Sequence, residues 1–124
     1  SGTYFEFDTS GTPTVYTHGY WSTSTHRYTP LVAGYYLATG GANVQDWYWA
    51  GARPVKNYAG TAVYSAGALW PRTIDNEYDN PGWGQGIFSL NGSTDYISLA
   101  GLAYGGTSKN FDQGFLNIQF LRSL

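Results

Sequence analysis

The sequence predicts an all-β domain, and three observations support this prediction. Tyr, Trp and Phe make up 19% of the chain, which also contains 17 glycines, a combination typical of pleated strands joined by tight turns. Long runs of Ala, Leu, Glu and Lys, which favour helices, are missing. Short alternating segments recur between turn signals, as in β-sandwiches and barrels. With 124 residues, the chain is expected to form one domain, residues 1–124, without repeats or a linker.

The first strand candidates come from the N-terminal part of the chain. Residues 3–8 place Phe5 and Phe7 on one face and two acidic side chains on the other, which is the pattern of a half-buried strand. Residues 15–21 form a second extended stretch. A polar loop is expected to follow at residues 22–25.

A third strand is predicted at residues 31–39. Pro30 should mark its beginning or lie at an edge, because proline cannot donate a hydrogen bond to a central ladder. Gly40 and Gly41 are expected to bend the chain after it. The remaining strand candidates, of which the first two are weaker, lie at residues 46–49, 62–70, 86–90, 95–99 and 115–120.

The C-terminal half has the clearest patterns. Asn91-Gly92 is a hairpin signal between two of the predicted strands, although Ser93-Thr94 lengthens the loop. Before these strands, residues 70–82 are expected to form a long acidic loop. The positions that alternation predicts to face inward in the last two strands are Ile97, Leu99, Leu116, Ile118 and Phe120.

The charge balance excludes several classes of partner. Only 11% of the residues are charged and the net charge is −2. The six Lys and Arg residues lie singly, whereas nucleic-acid binders need clustered cations to replace counterions. No stretch approaches the ~20 apolar residues that span a bilayer. We therefore expect neither a nucleic-acid partner nor a membrane span.

Cysteine is missing from the chain, which excludes disulfides, thiolate metal ligands and cysteine nucleophiles. Small secreted animal domains more often carry disulfides, so the absence favours a microbial or viral origin. Residues 75–80 offer oxygen atoms at alternate positions, but Asn80 stands at the sixth position, where an EF-hand loop needs Gly, and no Glu follows at the twelfth position. A solvated acidic loop is favoured over a metal site, and no cofactor is expected.

Catalytic constellations are weak in this sequence. His18 and His26 are the only histidines, and no Gly-x-Ser-x-Gly elbow accompanies them. Glycosidases need two carboxylates held about 5–9.5 Å apart, but most of the acidic residues lie near turns and their spacing does not pair them. The sequence therefore predicts a protein that is not an enzyme.

Two aromatic segments are the best candidates for ligand contact. Residues 45–49 and 70–83 combine Trp and Tyr, which stack on sugar rings, with Asp and Asn, which bind hydroxyl groups. In an alternating strand Trp47 and Trp49 share one face and Tyr48 the other, so all three cannot fill the core. The alternative is that the rings fill the core or a subunit contact. The residues predicted to bind a ligand or receptor are Trp47, Trp49, Trp70, Tyr78, Asp79 and Trp83.

One segment resembles a known strand motif. Residues 28–36 have the sequence Tyr-Thr-Pro-Leu-Val-Ala-Gly-Tyr-Tyr. This is similar to the Phe-Thr-Pro…Ala-Gly-x-Tyr strand of the tumour-necrosis-factor-like jelly rolls. The closer form is that of the complement-type globular heads, which recurs in the knobs of bacteriophage tail fibres and tail needles.

The C-terminal part resembles the same family. Residues 91–99 are similar to its Gly-Asp-x-Val-x-Leu strand, and residues 111–116 to its Phe-x-Gly-Phe-Leu strand. Two extra residues separate the glycine from the aspartate in the first motif, and Phe111 lies one residue too far from the glycine in the second. The resemblance covers roughly half of the chain, and residues 45–83 match the pattern poorly.

The resemblance implies a ten-stranded, two-sheet antiparallel jelly roll that assembles as a homotrimer around an aromatic contact. Obligate interfaces are enriched in aromatic residues, which agrees with the composition. It also implies that the C-terminal strand is central, and we expect Tyr36 and Phe115 to be buried in the core or in the trimer contact.

The function implied is a non-catalytic knob at the distal end of a phage tail needle or fibre, on the virion surface and outside the host cell. Its partner would be a host-surface glycan or protein, bound with avidity by three copies of one loop surface. Two alternatives stay open. One is a carbohydrate-binding module of a secreted enzyme, and the other is a structural cap that locks a trimeric shaft.

Overall fold

The computed structural model describes residues 3–6, 18–45, 49–59, 80–104 and 110–124. These residues form eight β-strands and no helix, which confirms the all-β prediction for this part of the chain. They include no helix long and apolar enough to cross a bilayer. In chain order the strands are β1 (Thr3–Glu6), β2 (Trp21–Ser22), β3 (Arg27–Tyr28), β4 (Gly34–Gln45), β5 (Trp49–Lys56), β6 (Asn80–Leu90), β7 (Ile97–Tyr104) and β8 (Asn110–Ser123).

The strands form two antiparallel sheets. In the five-stranded sheet β7 pairs with β5, β1 and β3, and β2 pairs with β3. In the three-stranded sheet β4 lies between β6 and β8. The sheets face each other, because β5 packs against β4 and β6. This two-layer arrangement is compatible with a jelly roll.

The core lies between the two sheets. Tyr36 is only 2% exposed, and its hydroxyl donates a 2.7 Å hydrogen bond to the carbonyl oxygen of Val32. Full burial of a large apolar side chain stabilises a fold by about 1.5–3 kcal/mol. The buried cluster consists of Tyr36, Ala38, Phe88, Leu90 and Ile97, with Tyr28, Leu116 and Ile118 packed against it.

The inward-facing positions predicted from alternation are mostly confirmed. Ile97 and Leu99 are buried, and Leu116 and Ile118 pack on the core cluster. Phe120 faces the same way but lies at the rim. Its ring meets that of Tyr36 edge-on at 5.3 Å, although the side chain is 45% exposed.

Some strand boundaries differ from the prediction. β4 begins at Gly34 rather than at residue 31, since residues 31–33 form an exposed loop after the buried Pro30. β6 begins at Asn80, inside the predicted acidic loop. The turn predicted at residues 22–25 is confirmed between β2 and β3, displaced by one residue. The strand predicted at residues 62–70 lies outside the described residues.

The predicted bend at Gly40 and Gly41 is wrong. Both residues lie inside β4, which continues to Gln45. A Cβ on Gly40 would stand 3.0 Å from the Cδ1 atoms of Leu99 and Leu116, so the missing side chain lets the two sheets approach. The glycine therefore serves packing rather than a turn. β4 does have a local irregularity after Gly41, where the register of its pairing with β8 shifts.

The predicted hairpin at Asn91-Gly92 is also wrong. β6 belongs to the three-stranded sheet and β7 to the five-stranded sheet, so the loop crosses between sheets. The loop is wider than a two-residue turn because the Asn91 Oδ1 atom accepts three backbone N–H groups, each at 3.0 Å. The donors are Ser93, Thr94 and Asp95.

The C-terminal strand is not central among the described strands, because β4 holds the middle of the sheet and β8 flanks it. Phe115 does not lie in the core of the single chain, where its side chain is 44% exposed. The reason is the strand's period of two, since Leu116 and Ile118 occupy the inner face and Phe115 points to the other one.

Candidate binding face

The outer face of the three-stranded sheet is the candidate functional site, and we call it the open face. Its residues alternate with the buried residues of β4, β6 and β8, so they point away from the core. Between Tyr35 and Gly41 of β4 the strand registers arrange them in four parallel rows. The rows are Trp83–Gly41–Phe115, Gln85–Thr39–Asn117, Ile87–Leu37–Gln119 and Ser89–Tyr35–Arg122.

The open face exposes large apolar side chains together. Trp83 is 59% exposed and Ile87 57%, and both lie on β6 two rows apart. Phe115 contributes a third exposed apolar side chain from β8. Single exposed apolar residues are ordinary on protein surfaces, whereas several on one face mark a binding or assembly surface.

The open face is almost free of charge. Arg122 is the only charged residue in its four rows, and its guanidinium carbon lies 5.1 Å from the centre of the Tyr35 ring. The other polar groups are neutral amides and hydroxyls. Thr39 Oγ1 donates a long hydrogen bond of 3.4 Å to Gln85 Oε1, which leaves both groups able to bind a further partner. The surface therefore fits a neutral partner.

The five-stranded sheet has no comparable open surface at β7, where residues 97–101 are all buried. Two charged side chains of this sheet form a structural pair. Glu6 accepts two hydrogen bonds from Arg27, at 3.0 and 3.2 Å, and this contact raises the pKa of the Arg27 guanidinium. The same guanidinium lies 4.2 Å above the Tyr96 ring. This cluster holds β1, β3 and the start of β7 together.

A second polar network fixes the loop between β6 and β7. Lys56 Nζ lies 2.9 Å from the Asp95 carboxylate, and Asn57 Nδ2 donates to the same group at 2.8 Å. The Lys56 ammonium and the Asn57 amide hold the pKa of Asp95 below its usual range. Because every group of the network is bound to another, it stabilises the loop rather than forming a vacant site.

The predicted ligand-binding residues are only partly covered by the described chain. Trp83 lies on the open face, where its side chain is exposed. Trp49 begins β5 in the opposite sheet, where it pairs with Tyr104, so the structure does not bring it beside Trp83. The remaining four predicted residues, Trp47, Trp70, Tyr78 and Asp79, lie outside the described residues, as does most of the acidic segment 75–80.

Other open-face residues were missed by the sequence reasoning. Inward and outward positions alternate along β6 and β8, and the sequence analysis interpreted mainly the inward ones. The outward positions, several of which are polar, received no role. Phe115 was expected in the core or in the trimer contact because it is aromatic and belongs to a family-like motif. The residues missed are Gln85, Thr39, Asn117, Gln119 and Phe115.

The described residues contain no group of three or more His, Asp or Glu side chains that could hold a metal ion. The four rows bear neither carboxylates nor imidazoles, so their chemistry is stacking and hydrogen bonding rather than proton transfer. Comparison with protein-family models, curated proteins and solved structures gives no match. Function is therefore inferred from the chemistry of the open face.

Proposed function

We propose that this chain is a non-catalytic knob that assembles as a homotrimer and recognises a host surface, as the knobs of phage tail needles and fibres do. Two sequence segments, residues 28–36 and the C-terminal part from residue 91, support the proposal by resemblance, and the two antiparallel sheets are compatible with the jelly roll that they imply. The observation that carries it is the open face, which is partly apolar and has a single charged residue in its four rows.

The aliphatic half of the open face is the candidate subunit contact, and we define it as Leu37, Ile87 and Leu121. Leu37 and Ile87 pair across β4 and β6. Leu121 is an exposed extra residue where the register of β8 shifts beside Tyr35. Burial of apolar area contributes about 25 cal/mol per Å², and Arg122, in the adjoining row, is the one charged side chain of the four rows.

Light scattering tests the assembly. The wild-type chain should show three times its 13.6 kDa mass at micromolar concentration. Ile87→Glu should lower this mass, because it places a charge in the contact. Gln85→Glu is the matched control, since it puts the same charge on the same face of β6 within the polar row, and it should leave the mass unchanged.

The outcome also separates the alternatives. A monomeric wild-type chain would contradict the knob proposal, and sugar binding by that monomer would favour a carbohydrate-binding module. A trimer that binds nothing would favour a structural cap. A trimer unaffected by Ile87→Glu would place the contact on another surface.

A further inference from the structure

Two exposed aromatic side chains share one row of the open face. Trp83 and Phe115 are both registered with Gly41 of the central strand. Their Cα atoms are therefore separated by two strand spacings, roughly 9–10 Å. Gly41 contributes no side chain between them and is itself buried, so the row forms a shallow platform rather than a deep cleft.

The neighbouring row is entirely polar and uncharged. Gln85, Thr39 and Asn117 lie two residues along each strand from the aromatic row, a step of roughly 7 Å. Amides and hydroxyls can both donate and accept hydrogen bonds. Gln85 and Asn117 are exposed and Thr39 is half-buried, so these groups are accessible from the same side as the rings.

We propose that this aromatic-amide half of the open face (Trp83, Phe115, Gln85, Thr39 and Asn117) binds a neutral, extended glycan that crosses the three strands. The two rings stack on the apolar faces of two sugar units of one chain. The polar row, alongside, binds their hydroxyl groups. This inference rests on the proposed recognition function and names its ligand class and its site.

The charges of the open face favour a neutral glycan over an acidic one. Arg122 lies at the opposite end of the face, three rows from the aromatic row, and its guanidinium is placed over Tyr35. No second cation lies in the four rows to bind carboxylate or sulfate groups. Anionic glycans should therefore bind weakly here.

The polar row favours a glycan over a second copy of the chain. A protein contact over Gln85, Thr39 and Asn117 would remove three polar groups from water, and each group left without a partner would cost free energy. Sugar hydroxyls supply donors and acceptors at close spacing. The aliphatic half presents three apolar side chains with a single amide, Gln119, in the same row, which is why the two halves suit different partners.

Affinity electrophoresis in native gels tests this site, with neutral linear polysaccharides (a soluble glucan, a mannan and a xylan) and anionic alginate in separate gels. At least one neutral polysaccharide should retard the wild-type chain, and alginate should not. Trp83→Ala and Phe115→Ala should each weaken the retardation at least about fivefold, the loss of an aromatic hot-spot residue. Trp83→Phe should restore part of it.

Leu31→Ala is the matched control, because Leu31 is 69% exposed but lies outside the open face, and it should bind as the wild type does. Thermal melting and light scattering of each variant separate loss of binding from loss of fold or assembly. The inference would be overturned if no neutral polysaccharide retards the wild-type chain. It would also be overturned if the Trp83→Ala and Phe115→Ala chains are retarded as strongly as the wild type. A wild-type trimer with that result would leave the assembly proposal standing.

Discussion

Gly92 lies so close to Ala33 that a Cβ atom added to Gly92 would stand 2.5 Å from the Ala33 backbone nitrogen. Gly92 also has a φ of 74°, in the left-handed region that favours glycine. The loop between the two sheets is thus seated on the loop that precedes β4. The Asn-Gly pair, which resembles a hairpin signal, serves here as a contact between two loops.

Gly92→Ala should destabilise the chain by more than the roughly 1–2 kcal/mol of left-handed strain alone, because the added methyl group meets backbone atoms. Gly19→Ala is the control, since Gly19 also has a positive φ but nothing lies within 4 Å of its added Cβ. Urea unfolding measures both. Equal losses of unfolding free energy would show that the contact with Ala33 costs nothing.

Tyr36→Ala and Phe115→Ala should have different effects on stability. Tyr36 is buried in the core cluster, so its truncation should cost about 3–5 kcal/mol. Phe115 is largely solvent-exposed in the single chain, and its loss should cost about 1 kcal/mol or less. Thermal and urea unfolding at low protein concentration provide the comparison. A large loss for Phe115→Ala would mean that the ring is covered in the folded protein.

The sequence predicts the inner faces of β7 and β8 because burial on one face imposes a period of two. Ile97, Leu99, Leu116 and Ile118 were identified in this way, since their apolar side chains alternate with polar neighbours. The same pattern does not state which strand lies beside which. The pairing of β4 with both β6 and β8, and the position of β8 at its flank, depend on contacts distant in sequence.

The bend predicted at Gly40 was wrong for a related reason. Gly40 satisfies every local criterion for a bend, but its role is to make room for Leu99 across the core, which only the packed sheets show. The open face was missed because an aromatic residue such as Phe115, which points outward from β8, cannot be distinguished from a core residue by its type alone. Of the predicted site, Trp83 alone lies on this face among the described residues.

Acid should destabilise the chain through Asp95. Its pKa is lowered by hydrogen bonds from Lys56 and Asn57, so the unfolded chain takes up the proton before the folded one does. The stabilisation is therefore present above the ordinary carboxyl pKa and is lost as the pH falls below about 4. Asp95→Asn should flatten this part of the curve of unfolding free energy against pH. An unchanged slope would show that the Lys56 contact contributes nothing.

Alkali should destabilise the chain through Tyr28, the aromatic link between the two sheets. Its ring meets those of Tyr20 at 5.9 Å and Tyr36 at 6.1 Å. Burial, and then these two neighbours, raise its pKa from 10.0 to about 12. Because the folded state favours the neutral phenol, the stabilisation is present below the unfolded pKa near 10 and is lost as the pH rises towards 12.

Tyr28→Phe keeps the ring in place and removes the ionising group, so it should reduce the fall in unfolding free energy between these pH values. Part of the fall should remain, because burial also raises the pKa of Tyr36, Tyr58 and Tyr96. Urea unfolding at stepped alkaline pH measures the slope, and ultraviolet difference absorbance reports phenolate formation. If the wild-type and Tyr28→Phe chains lose stability in parallel, Tyr28 ionises as freely in the folded state as in the unfolded one.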